Sequence, residues 1–230
     1  MSNAYIFPNA RLLIFVKAPI PGRVKTRLAG SLGTRGAAKL YKELLRRTLA
    51  MADASRLCPI ELWCAPDSRH GFFVACRRKY GIRLRRQCTG DLGQRMNHAL
   101  NRTLAEGNHA VLIGSDCISL GIAELRAAFD LLAAGRDAVI GPAADGGYVL
   151  VGLGQRCPAL FRGIAWSTPT VLATTRRRFK RAGVDWAELP LGWDVDTPTD
   201  LRHLRRNTRW YSVPPAVPAT RNPAAALPSA

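Results

Sequence analysis

A short loop with four cations is the feature of this sequence whose residue types most directly predict chemistry. Lys17, Arg23, Lys25 and Arg27 lie in the segment FVKAPIPGRVKTRLA, directly after an apolar run that ends at Val16. Two prolines fix φ in this loop and a glycine permits a turn, so the loop adopts few conformations. Arginine presents a planar fork to phosphate oxygens, and lysine presents a compact charge. The segment therefore predicts binding of a di- or triphosphate, against the alternative of a solvated basic turn.

Three carboxylates are candidate partners for that loop. Asp116 ends the apolar segment VLIGSD, while Asp194 and Asp196 alternate in GWDVDTPTD and should point to opposite sides of an extended chain. We expect Asp116 and one of the two later aspartates to be oxygen ligands of Mg²⁺ or Mn²⁺. Such hard cations commonly use one or two carboxylates together with substrate phosphates. The alternative is that these side chains cap the helices that follow them.

Short apolar runs and helical patterns alternate along most of the chain, and this alternation must position those groups. The pattern predicts strands near residues 12–16, 59–65, 82–87, 110–116, 137–143, 147–153 and 186–189. Strands interleaved with helices indicate an α/β fold with a largely parallel sheet covered on both faces, and the tight ADGG connection adds a hairpin. Ligands of such sheets bind at the carboxyl ends of the strands. The basic loop, Asp116 and the WDVDTPTD segment should therefore face one cleft.

The composition limits the class of protein. With 230 residues and 47% hydrophobic residues, we expect one soluble domain over residues 10–209, followed by a disordered Pro/Ala-rich tail over 212–230. Thirty-four Lys and Arg against sixteen Asp and Glu give a net charge of +18, which favours polyanionic partners. The six cysteines form no CxxC pair and are expected to be reduced. Because we recognise neither a membrane span nor a signal peptide, we expect a cytoplasmic protein.

Six segments, taken in order, resemble a bacterial family of small GT-A-fold proteins. They are IFVKAPIPGRVKTRLA, GDLGQRM, IGSDC, GPAADGGYVLVGL, WST and DVDTPTDL, and they cover the chain from about Leu12 to Leu204. The family is usually labelled glycosyltransferase and is sometimes linked to arsenosugar biosynthesis. More distantly, the pattern is similar to nucleotidyltransferases of the same superfamily. The resemblance implies a three-layer α/β/α, Rossmann-like GT-A (nucleotide-diphospho-sugar transferase) fold with a mostly parallel mixed sheet.

The resemblance also implies roles for individual residues. Asp116 and Asp196 would bind the metal, with Asp196 preferred over Asp194 because it matches the acidic position before the final helix. Arg23 and Lys25 would act on the reacting phosphates, and Asp145 would be the acceptor-side base. The implied nucleotide contacts are Lys17, Arg23, Lys25, Arg27 and Arg95, and the implied acceptor contacts are Asp145, Gly146 and Gly147. Two alternatives stay open: ADGG as a plain hairpin turn, and Asp91 as a helix cap without a ligand contact from Arg95.

Several reactions agree with these features. The leading hypothesis is glycosyl transfer from a nucleotide-diphospho-sugar to a small-molecule acceptor. The main alternative is nucleotidyl transfer from a nucleoside triphosphate to a phosphorylated acceptor, because Ser-Asp-Cys replaces the Asp-X-Asp typical of GT-A glycosyltransferases. Against it, the glycine-rich opening of the pyrophosphorylases is absent. A nucleic-acid-binding module would suit the charge, but we recognise no nucleic-acid motif. A degenerate transferase fold kept for assembly is the last alternative.

Overall fold

The computed structural model describes residues 5–106 and 109–206, and in this part of the chain seven strands form one sheet. The strands are β1 (Arg11–Lys17), β2 (Ile60–Ala65), β3 (Arg83–Arg86), β4 (Ala110–Ile113), β5 (Ala138–Pro142), β6 (Tyr148–Leu153) and β7 (Trp186–Glu188). Their order across the sheet is β3-β2-β1-β4-β6-β5-β7. Every strand predicted from the sequence is present, with bounds shifted by a few residues.

Six helices accompany the sheet: α1 (Ala29–Ser55), α2 (Gly71–Tyr80), α3 (Leu92–Leu104), α4 (Ile122–Ala133), α5 (Val171–Ala182) and α6 (Pro198–Arg206). Within α1, Gly33 departs from helical geometry with φ 66° and ψ 163°. Helix α2 begins after His70, whose imidazole caps the helix by accepting the N–H of Phe72.

The helices cover both faces of the sheet, which gives the predicted three layers. Strand β1 shows how the sequence produces them, because alternate side chains of a strand point to opposite faces. Leu12 and Ile14 pack in a cluster with residues of α1, α2 and α4, while Leu13 packs with residues of α3 and α5. All three leucine and isoleucine side chains are almost fully buried.

Four of the six strand pairings are parallel, and β6 runs antiparallel to both of its neighbours. The mixed sheet and the predicted β5–β6 hairpin are therefore confirmed. Since all strands except β6 run in the same direction, six strands end at one edge of the sheet. Parallel sheets bind their ligands at this edge, and the candidate site lies there.

The remaining sequence predictions concern properties outside the sheet. All six cysteines are free thiols, and four of them are buried. Within the described residues, no helix has both the length and the apolar character that a membrane crossing requires. The predicted tail over 212–230 and the last residues of the predicted domain lie outside the described residues.

Candidate active site

A cavity of about 340 Å³ lies where β1 and β4 end, and we call it the central cavity. It brings together groups that are far apart in the sequence. Seven residues predicted to act at the site line it: Lys17, Arg23, Lys25, Arg27, Arg95, Asp116 and Asp196. The predicted convergence of the basic loop and the acidic segments on one cleft is confirmed. Their individual roles stay predictions.

An antiparallel bridge explains why the two acidic segments meet. Cys117 pairs with Asp194 across this bridge, and the N–H of Val195 donates to the Asp116 carbonyl at 3.3 Å. Asp116, next to the bridge, and Asp196, two residues beyond it, are thereby held close together in the cavity. Thr197 then caps α6, since its hydroxyl oxygen accepts the N–H of the first-turn Asp200. In this segment Thr197 is therefore the helix cap, and Asp196 is left as the candidate metal ligand.

Lys25 connects the basic loop to both carboxylates. Its Nζ lies 2.5 Å from Asp116 Oδ2 and 3.5 Å from Asp196 Oδ1, and Arg27 Nη1 lies 2.7 Å from Asp196 Oδ2. The side chain of Lys25 is only 4% exposed. Burial alone would lower the pKa of Lys25, but the charges of Asp116 and Asp196 outweigh it and raise that pKa above its usual value. Lys25 therefore stays an ammonium between two carboxylates.

Tyr41 of α1 lines the central cavity and was not among the predicted site residues. Its hydroxyl accepts the N–H of Lys17 at 2.9 Å and the hydroxyl of Ser115 at 3.1 Å, so it ties the ends of β1 and β4 to α1. Thr48 of the same helix donates to the Ser115 carbonyl. Burial raises the pKa of Tyr41 to about 12, so it stays a neutral phenol. Helical spacing gave no signal for this contact.

A second cavity of about 460 Å³ adjoins the first on the β2–β3 side, and we call it the basic cavity. Four cations line it: Lys17, Arg23, Arg86 and Arg95. Of the described residues, no Asp or Glu contributes to its lining. Arg86 was missed as a site residue, although its place at the carboxyl end of β3 was a signal. The buried Gln87 amide holds this corner by donating to the carbonyls of Val16 and Trp63.

For the GDLGQRM segment, the structure confirms Asp91 as a helix cap and places Arg95 beside the cleft, while the ligand contact of Arg95 stays a prediction. Asp91 caps α3 in a reciprocal arrangement with Gln94. One turn later, Arg95 donates to the Gly90 carbonyl and lines both the central and the basic cavity. The cap therefore fixes the start of the helix that carries Arg95 to the cleft.

A third cavity of about 190 Å³ lies on the other side of the central cavity, beside the β5–β6 hairpin, and we call it the acidic cavity. Asp145 and Asp194 line it together with Tyr148 and Trp166. No Lys, Arg or His side chain among the described residues lines it. Asp194 and Asp196 thus face different cavities, as their alternation predicted, and Asp196 is the one beside Asp116.

The predicted acceptor segment forms one wall of the acidic cavity and is also a tight turn. Asp145 Oδ1 accepts the N–H of Gly147 at 2.9 Å, and Gly146 has φ 84°. A Cβ at Gly146 would lie 2.3 Å from the carbonyl oxygen of Pro169, so glycine permits a close approach to the start of α5. The turn interpretation is correct. Of the three predicted acceptor residues, Asp145 and Gly147 line the cavity, and Gly146 sets the turn.

The carboxylates of this region influence one another. Burial raises the pKa of Asp194 to about 6, and the nearby charges of Asp116, Asp145 and Asp196 add to that rise, while Lys25 opposes it. Asp194 thus carries its charge in a partly buried place, whereas Asp145 is exposed. A group that enters it meets a negative electrostatic potential.

Asp116 and Asp196 fit the chemistry of a hard divalent cation. Their oxygens converge on one cation, the Lys25 ammonium, and carboxylate oxygens are the donors that Mg²⁺ and Mn²⁺ prefer. Among the described residues, no group of three or more His, Cys, Asp or Glu side chains is arranged to hold a metal. A two-carboxylate site would therefore need further oxygens from a substrate.

Comparison with solved structures shows the same architecture. A protein from Desulfovibrio desulfuricans G20, provisionally assigned to the nucleotide-diphospho-sugar transferases, is 33% identical, with 89% of this chain and 90% of that chain covered and a TM-score of 0.79. A CMP:2-keto-3-deoxy-manno-octonic acid synthetase complexed with CTP is 10% identical, with 88% and 99% covered and a TM-score of 0.53. The 4-diphosphocytidyl-2C-methyl-D-erythritol synthase of Anaerococcus prevotii DSM 20548 is 11% identical, with 87% and 97% covered and a TM-score of 0.57. The last two are similar in fold alone.

A comparison with family models complements the comparison with solved structures. None of the curated proteins is detectably similar to the chain in sequence. A family model does match residues 48–168, which is just over half of the chain, and its description is uncharacterised protein conserved in bacteria (DUF2064). From this match and the 33% identity to the Desulfovibrio protein, we conclude that the chain belongs to the DUF2064 family and has the nucleotide-diphospho-sugar transferase fold.

Proposed function

We propose that this protein is a metal-dependent transferase that acts on a nucleotide-activated donor, and that its reaction is glycosyl transfer from a nucleotide-diphospho-sugar. The observation that carries the proposal is the distribution of charge along the cleft. The basic cavity lies beneath the ends of β1 to β3, and the acidic cavity lies beside β5 and β6, with Asp116 and Asp196 between them. A polyanionic donor and an uncharged acceptor match these two ends.

The donor phosphates belong at the cationic end. Lys17, Arg23, Arg86 and Arg95 offer donors to phosphate oxygens, and they would stabilise the charge that develops on a departing nucleoside diphosphate. A Mg²⁺ or Mn²⁺ ion held by Asp116 and Asp196 would supply further neutralisation of that charge. Fixed cations of this kind act without reorganising during the reaction, which is the main source of catalysis in such transfers.

The acceptor belongs in the acidic cavity. Trp166 and Tyr148 give it apolar walls, and Asp145, fixed by the N–H of Gly147, is the proposed base for the acceptor hydroxyl. A phosphorylated acceptor would place its charge beside Asp145 and Asp194, which would repel it. This charge distribution favours glycosyl transfer to an unphosphorylated hydroxyl.

Nucleotidyl transfer is the second candidate function, and one observation favours it. The end of β4 carries a single carboxylate, Asp116, between Ser115 and Cys117, where GT-A glycosyltransferases commonly have two. The two reactions release different products, since glycosyl transfer releases a nucleoside diphosphate and nucleotidyl transfer releases pyrophosphate. Assays for both products with the same panel of donors distinguish them.

A thermal-shift panel tests the proposal. Nucleoside triphosphates and nucleotide sugars are added with Mg²⁺ or Mn²⁺ to the wild type, Lys25→Ala and Asp116→Ala, with Lys180→Ala as the control because it is exposed on α5. Relative to each protein with the metal alone, we expect the nucleotide to add stabilisation in the wild type and the control, and we expect this added stabilisation to be lost in the two cleft variants. Equal stabilisation in all four proteins would refute the site. Steeply salt-dependent binding of an oligonucleotide, with none of nucleotides, would favour a nucleic-acid-binding function instead.

A further inference from the structure

The ammonium of Lys25 lies where the two proposed metal ligands converge. Its Nζ is 2.5 Å from Asp116 Oδ2 and 3.5 Å from Asp196 Oδ1. The Lys25 side chain is 4% exposed, whereas Asp116 and Asp196 are 24% and 38% exposed. The two carboxylates thus face the cleft, with the ammonium as the deeper partner. In the free protein, Lys25 and Arg27 together already balance the charges of these two acids.

The backbone holds Lys25 in this place without help from a ligand. Lys25 has φ 48° and ψ 42°, a left-handed conformation that is unfavourable for a residue with a Cβ. Local hydrogen bonds fix the loop on both sides, from the N–H of Arg23 to the Ile20 carbonyl and from the N–H of Leu28 to the Lys25 carbonyl. Strained backbone of this kind persists where the surrounding structure determines it and is enriched at functional sites.

A divalent ion and this ammonium compete for the same carboxylates. Coordination by Asp116 and Asp196 would require metal–oxygen distances of roughly 2.0–2.2 Å, close to a buried like charge. The two cations would repel each other, and the burial of Lys25 leaves its ammonium poorly screened by water. Phosphate oxygens relieve that conflict, since they add ligands to the metal and give the ammonium a second set of acceptors.

We propose that Lys25 makes divalent-metal binding dependent on a polyphosphate. In the free protein, Lys25 occupies the cation position and excludes Mg²⁺ or Mn²⁺, so the ligand of this site is a metal–polyphosphate complex rather than the free ion. Metal and polyphosphate then each raise the affinity of the protein for the other, as linkage requires. This inference rests on the proposed metal-dependent function and adds to it the order in which the groups bind.

Titration of Mn²⁺, followed by the electron paramagnetic resonance signal of the free ion, tests the proposal without an activity assay. Lys25→Met keeps the apolar stem and removes the charge, and we expect it to bind Mn²⁺ at least about tenfold more tightly than the wild type. Arg27→Met is the matched control, because Arg27 is 65% exposed and pairs with Asp196 from the cleft side. It should tighten Mn²⁺ binding by less than about threefold. Equal affinity in the wild type and Lys25→Met would overturn the proposal.

The wild type alone gives a second test that needs no folded variant. Thermal shifts are measured with Mn²⁺, with inorganic triphosphate and with both. We expect the shift with both to exceed the sum of the separate shifts. A Kd below about 100 μM for Mn²⁺ and the wild type without phosphate would contradict the proposal. At such a Kd, the stabilisation RT ln(1 + [L]/Kd) would already give a clear thermal shift with Mn²⁺ alone. Lys25→Gln replaces Lys25→Met in the titration if circular dichroism shows that the methionine variant is unfolded.

The outcomes also separate this inference from the proposed function. Tighter Mn²⁺ binding in Lys25→Met, without stabilisation of the wild type by any nucleotide, supports the role of Lys25 and counts against the transferase. Triphosphate that stabilises the wild type equally with and without Mn²⁺, together with no Mn²⁺ binding in Lys25→Met, shows that the ammonium replaces the metal. That result would overturn the coupling and leave nucleotide binding intact.

Discussion

Replacement of Gly146 by alanine tests the close contact between the hairpin turn and the start of α5. The new Cβ would lie 2.3 Å from the Pro169 carbonyl oxygen and 2.8 Å from its carbonyl carbon. Gly146 also has φ 84°, and its carbonyl accepts the N–H of Leu172 at 2.9 Å. The left-handed conformation costs a residue with a Cβ about 1–2 kcal/mol. Overpacking against main-chain atoms adds about 1–3 kcal/mol.

Gly183→Ala is the matched control for this change. Gly183 ends α5 with φ 65°, and a Cβ there would meet no atom within 4 Å. It should cost only the conformational part, about 1–2 kcal/mol, while Gly146→Ala should cost about 2–5 kcal/mol. Urea denaturation followed by circular dichroism measures both free energies of unfolding. If the two variants lose the same free energy of unfolding, the contact between the new Cβ and Pro169 has no energetic cost. The close approach of this turn to α5 would then not require glycine.

The same variant separates the two ends of the cleft. Gly146 belongs to the turn that walls the acidic cavity, and the cations of the basic cavity come from other segments. We therefore expect Gly146→Ala to keep the thermal shift with nucleotides and to lose turnover with the acceptor. Loss of nucleotide binding in a folded variant would contradict this separation.

Three further predictions concern stability and the basic cavity. Asp91→Ala removes the cap of α3 and should cost about 0.5–2 kcal/mol in urea denaturation, whereas Asp130→Ala, in an exposed pair on α4, should cost less than about 1 kcal/mol. Glu61→Gln removes a carboxylate that is 4% exposed and pairs with arginines of β3, so it should lower the free energy of unfolding by about 1.5–3 kcal/mol. Arg86→Ala should weaken nucleotide binding in isothermal calorimetry, while Arg83→Ala, at the opposite end of β3, should leave it unchanged. Equal effects of the two arginine variants would remove Arg86 from the site.

The sequence allowed prediction of the features that depend on local pattern and on the direction of strands. The apolar run over residues 12–16 predicts a strand, and the structure has β1 there with side chains on both layers. The convergence of Lys25 with Asp116 could be predicted because parallel strands end at one edge of the sheet. The separation of Asp194 from Asp196 followed in the same way from the period of an extended chain. These inferences needed no knowledge of tertiary contacts.

Contacts between distant side chains could not be predicted in this way. Tyr41 has the spacing of an ordinary core residue of α1, and only the packed structure places its hydroxyl between Lys17 and Ser115. The pairing of Lys25 with two carboxylates depends on a left-handed backbone at a residue type that rarely adopts it. Arg86 lies on β3, an edge strand of the sheet, and charged residues are common on such strands without a role in binding. Each of these features is set by packing rather than by sequence period.

The arrangement of the three cavities along the sheet has a consequence for how members of this family diverge. The cations of the basic cavity come from residues 17–95, whereas the turn and the aromatic wall of the acidic cavity come from residues 143–171. The two ends of the cleft are thus built mainly from separate parts of the chain, although Leu92 and Met96 of α3 and the later Asp194 also line the acidic cavity. A chimaera that exchanges the second half between two relatives should inherit its preferred acceptor from one parent and its activated donor from the other.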